Sequence, residues 1–96
     1  MTGYKLVRMR RNGTLGPLFI NRRQVLEVGV WMPAGDYPTK GFAHRPGWHV
    51  LLQPVAPHLS KKGRIWIRVE AKDYVEFERP VSQGGKWLLA QWMKII

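Results

Sequence analysis

Cysteine is absent from this chain. That excludes disulfide staples and thiolate-held zinc, and it fits a reducing compartment. Acid is almost as scarce: six Asp and Glu stand against sixteen Lys and Arg, a formal net charge of +10. No apolar run approaches the roughly 20 residues that span a bilayer, and the opening MTGYKLVRMRR lacks the apolar segment of a secretory signal. The expectation is a cytoplasmic protein with no membrane partner. A Walker loop, a dinucleotide fingerprint and a Ser-His-Asp order are also missing, so no cofactor is expected.

What is present must fold by its own core. Residues 1–96 make one domain near the lower size that can do so without staples. Five Trp, three Phe and three Tyr supply large buried areas per side chain. The basic charge is unevenly spread. Lys5, Arg8, Arg10, Arg11, Arg22 and Arg23 fall in an N-terminal stretch without acid, and Lys40, Arg45, Lys61, Lys62, Arg64 and Arg68 follow. Glu70, Asp73, Glu76 and Glu78 crowd together. A basic side and a smaller acidic side are expected, and a basic side attracts phosphate-bearing partners. The competing reading is a solvated surface.

The patterning is that of strands and turns. YKLVRMRRNGTLGPLFI reads as two strands around Asn12-Gly13, a dipeptide suited to the positive φ angles of a hairpin turn. By the two-residue period Arg8 and Arg10 share an exposed face, with Val7 and Met9 opposite. Leu26, Val28, Val30 and Met32 read as the inward face of a third strand ending at Pro33. Residues 33–47, rich in proline and glycine, read as an ordered loop, followed by a short strand from Trp48 to Gln53. RIWIRVE places Ile65, Ile67 and Val69 inward, and Tyr74 to Glu78 alternates again with Val75 and Phe77 inward. The tail KWLLAQWMKII fits both a helical and a strand period, and a final strand after Gln-Gly-Gly is the preferred reading. The fold class is mainly β: a compact antiparallel curled sheet or small barrel with at most one short helix.

Few residues can carry chemistry. His44, His49 and His58 lie within fifteen positions, and with Arg45, Arg64 or Lys40 they contain the minimum for metal-independent RNA cleavage. Histidines in a β loop are more often structural. They match no zinc spacing, even with Asp36 as a fourth ligand, so no metal is expected. Glu76 and Glu78 share a solvated strand face and give no support for glycosidase chemistry. The stronger signal is aromatic rings beside bases: Trp48 next to His49, Trp66 between Arg64 and Arg68, and Trp31 after the basic hairpin. Rings stack bases while guanidinium groups hold phosphates. A domain this small also needs most of its tryptophans as core. The segment GFAHRPGWHV reads as an ordered phosphate-facing loop, with Arg45 and the histidines for the anion and Trp48 as anchor.

The runs PTKGFAHRPGWH, PVAPHLSKKGRIW and RPVSQGGKWLLA resemble those of small uncharacterised proteins encoded by phages and prophages. The resemblance implies context, a phage accessory protein, and carries over no catalytic residue. Such proteins include inhibitors of host defence, anti-CRISPR proteins among them, and factors that handle phage nucleic acid. The basic composition here departs from the acidic DNA mimics of that kind. The sequence therefore leads to binding of nucleic acid or a host nucleoprotein complex, with Arg8, Arg10, Lys40, Arg45, His49, Arg64, Arg68, Trp48 and Trp66 as the candidate interface. The alternatives are a ribonuclease-like enzyme using His44, His49 and His58, and a structural phage component.

Overall fold

The computed structural model describes residues 1–18, 23–35 and 47–96. It is an antiparallel β structure with β1 (Thr2–Met9), β2 (Leu15–Gly16), β3 (Trp31–Pro33), β4 (Trp48–Leu51), β5 (Arg64–Glu78) and β6 (Lys86–Ile95). A single 3₁₀ turn, Val81–Gln83, precedes the Gly84-Gly85 turn into β6. The final strand is thus a strand, and no α-helix occurs among the described residues.

Strand β5 organises the sheet. Its first half pairs with β1 from Glu70 opposite Thr2 to Arg64 opposite Arg8, and its second half pairs with β6 from Val69 opposite Ile95 to Glu78 opposite Lys86. The far edge of β6 carries β4 along residues 87–90 and β3 along 92–94. A single pair, Tyr4 opposite Leu51, links β4 back to β1. The sheet therefore curls until its ends touch, short of a regular barrel. Gly3 allows that closure: a Cβ there would lie 2.7 Å from the Leu51 carbonyl oxygen, against the backbone of β4.

Sequence period explains the packing. Val7 and Val69 face inward, where they meet Val50, Leu88, Met93 and Ile95 in the main core. A second, smaller cluster of Leu51, Ala56 and Trp87 forms on the outside, with Leu59, Trp66 and Phe77 packed against it. The segment after β4 thus covers part of one outer face.

Two local expectations are corrected. The third strand is only Trp31–Pro33. Ahead of it Leu26 makes an isolated bridge to Leu15 and Val28 one to Ile95, and Gly29 at φ 80° interrupts the alternation. Leu26 and Met32 are buried as expected, but Val28 and Val30 face solvent. Likewise RIWIRVE and YVEFE are one strand rather than two. Asp73 sits at φ 54° between them, a left-handed conformation that Asp tolerates better than most residues. Beyond it Val75 is exposed, while Phe77 is half-buried.

Candidate functional site

The period of two puts Arg64, Trp66, Arg68, Glu70 and Lys72 on one face of β5. Their register neighbours extend that face across the sheet. On β1 these are Arg8 opposite Arg64, Leu6 opposite Trp66 and Tyr4 opposite Arg68. On the other flank Lys94 lies opposite Glu70 and Trp92 opposite Lys72, and Trp31 of β3 lies opposite Lys94. Glu70 is the one acid among these positions. At the strand rise of about 3.3 Å, residues 64 to 72 run for about 26 Å.

Arg8 and Arg64 are directly opposed cations, and like charges facing across an antiparallel pair repel. Arg8 also has its Nε buried without a hydrogen-bond partner. Arg64 donates to the Ser60 carbonyl at 3.0 Å, which fixes its head near the Lys61-Lys62 turn. Arg68 is exposed. Trp66 between them is half-buried against the outer cluster, and its Nε1 is buried with no acceptor. The ion pair Lys86–Glu76, at 3.5 Å, belongs to the other end of β5.

Three of the other sequence candidates have structural duties. Trp48 is 8 % exposed, and its Nε1 donates to the Met32 carbonyl at 3.0 Å, so it is core. Arg10 donates to Thr14 Oγ1 at 3.4 Å, to the Leu15 carbonyl at 3.2 Å and to the Gln24 carbonyl at 2.6 Å. Its guanidinium ties the hairpin to the following segment instead of standing free beside Arg8. His49 is half-buried and packs edge-on to Phe77 and Trp87 at ring separations of 6.1 and 6.0 Å. Lys40, His44 and Arg45 lie outside the described residues.

The histidine question takes a specific form. His58, although exposed, also contacts Trp87 edge-on at 6.2 Å, and the Arg79 guanidinium lies over the same ring at 5.7 Å. Partial burial, and then the Arg79 charge, lower the His58 pKa below its ordinary value. One tryptophan thus gathers both described histidines and an arginine that the sequence reading passed over. Among the described residues no group of three His, Cys, Asp or Glu could hold a metal ion.

Sequence reasoning also missed Lys72, Trp92 and Lys94, and it took Lys5 only as part of the basic total. Lys5 faces the inside of the sheet with Val7. Its Nζ donates to the His49 carbonyl at 2.9 Å and lies 5.8 Å from the Trp48 ring, and burial pushes its pKa down to about 8. For Lys72 a signal was available, since the two-residue period of β5 continues past Glu70; Trp92 and Lys94 join that face only through the β5–β6 register.

No helix of the described residues is long and apolar enough to cross a membrane. Compared with protein-family models, curated proteins and solved structures, the chain matches none.

Proposed function

We propose that this chain binds nucleic acid, free or exposed on a host nucleoprotein complex, and acts as a phage-type accessory protein of the anti-defence class. The observation that carries the reading is the opposed pair Arg8 and Arg64, in line with Arg68 on one sheet face. Two facing cations repel each other, and a phosphate beside them offsets that repulsion. The net charge of +10 adds long-range attraction to any polyanion.

Mobility shifts with labelled RNA and DNA over a salt series test it. Binding that weakens steeply with salt supports the reading, and no binding to either polymer removes it in favour of a structural phage component. A second reading, metal-independent RNA cleavage, draws on His49 and His58 meeting at Trp87 with Arg79 above the ring. It requires RNA products formed in the presence of chelator and lost in both His49→Ala and His58→Ala.

A further inference from the structure

Trp31 and Trp92 are half-buried at one end of the basic face, and each is paired in register with a lysine. Lys72 Nζ lies 4.5 Å from the Trp31 ring centroid and 5.5 Å from that of Trp92, and Lys94 Nζ lies 5.1 Å from Trp31. Each ring is thus partly exposed, with an ammonium group within cation–π distance of it. Trp66 is packed against the outer cluster of Leu51, Ala56 and Trp87. Trp48 is core.

We infer that Trp31 and Trp92 are the base-stacking station of a single-strand site, with Lys72 and Lys94 serving the adjoining phosphates. The inference rests on the nucleic-acid reading above and narrows it to unpaired strands. An aromatic face can stack only on a base whose own face is open, and a duplex keeps those faces inside. The lysines do not block the station. An exposed ammonium-ring contact is worth about two- to fivefold in an equilibrium constant, against about 5- to 150-fold for a base stacked on an aromatic ring. A base entering over a ring releases the ammonium to the phosphate beside that base. Arg64 and Arg68 of β5 and Arg8 of β1 continue the same sheet face, so one strand can run from the stacking end to the arginine end. The length of about 26 Å between residues 64 and 72 suits a site of about four nucleotides or more.

The test compares a 5′-labelled 12-nucleotide oligothymidylate with a 12-base-pair duplex by fluorescence anisotropy in one buffer. The wild type is expected to favour the single strand. Trp31→Ala and Trp92→Ala are each expected to weaken single-strand binding about tenfold and duplex binding less than twofold. Trp31→Leu and Trp92→Leu keep apolar bulk if the alanine variants fail to fold, and a circular dichroism melt certifies every protein used. Equal losses on both ligands, or no loss on the single strand, overturn the stacking station while leaving nucleic-acid binding intact. A folded wild type that binds neither ligand overturns both readings together.

Discussion

The two halves of β5 share one backbone and differ in almost everything they show to solvent. Before Asp73 the strand carries Arg64, Arg68 and Lys72, with Trp66 and a single acid, Glu70, between them; after it come Glu76 and Glu78 with an exposed Val75. Both halves pair with an antiparallel neighbour, so the sheet itself does not distinguish them. The difference lies in the side chains and in one residue at φ 54° between them. A strand this long can serve two surfaces of opposite charge if the chain turns over at a defined point.

Charge reversal on the basic half is expected to have the largest effect. Arg8→Glu with Arg64→Glu should weaken binding of a labelled oligonucleotide at least about 100-fold, from two lost charge-assisted contacts. The slope of log K against log salt should fall by roughly 1.4 to 1.8. A folded double variant with unchanged affinity and slope would place the interface elsewhere. The turn at position 73 comes next. Asp73→Val puts a β-branched residue in the left-handed region and should cost about 1–2 kcal/mol in urea unfolding, whereas Asp73→Gly should not. Equal stability of the two variants would mean that the backbone there does not separate the halves.

A cation inside the sheet provides the contrast with those outside. Lys5 has a folded pKa near 8 against an ordinary 10.5. Between those values the unfolded chain binds a proton that the folded chain does not, so stability should rise from about pH 8 towards 10.5. Lys5→Met should flatten that rise and stabilise the fold at pH 7, as read from thermal melts across pH. The smallest effect belongs to the acidic half. Glu76→Gln with Glu78→Gln should strengthen oligonucleotide binding by about twofold at low salt, through long-range charge alone. A loss of affinity would show that the acidic half takes part in contact.

Much of this fold was legible from local chemistry. Asn12-Gly13 marks the first turn, with Gly13 at φ 85°, and the alternation in RIWIRVE puts Val69 in the core. What was not legible depends on partners distant in sequence. Val28 has the residue type of a core position, yet it makes one isolated bridge at a sheet edge and stays exposed. The continuity of β5 through Asp73 could not be read from propensity, because Asp is a strand breaker by habit and is held here by pairing on both sides. For the basic face, Arg8, Arg64 and Arg68 were found from period alone. Arg10 was misplaced because its three carbonyl and hydroxyl acceptors come from the folded turn and from Gln24. Lys72, Lys94 and Trp92 became neighbours only through the β5–β6 register, which no period in either segment specifies by itself.

The topology also dictates when this protein can fold during synthesis. Nearby in sequence β1 meets only the short β2, with Arg8 opposite Gly16 and Met9 opposite Leu15; its other partners lie in β5, from Arg64 to Glu70, and in a single pair with β4. A nascent chain leaving the ribosome therefore carries Thr2 to Val7 of β1 unmatched until β4 and β5 have emerged, and β6 follows later still. Contacts so far apart in sequence are slow to form, and the waiting strand sets Leu6 and Val7 between the cations Lys5 and Arg8, with no acid. Like charge of that kind opposes pairing of one waiting strand with another, so Arg8, on the outer face of the finished sheet, also helps to guard the unfinished one.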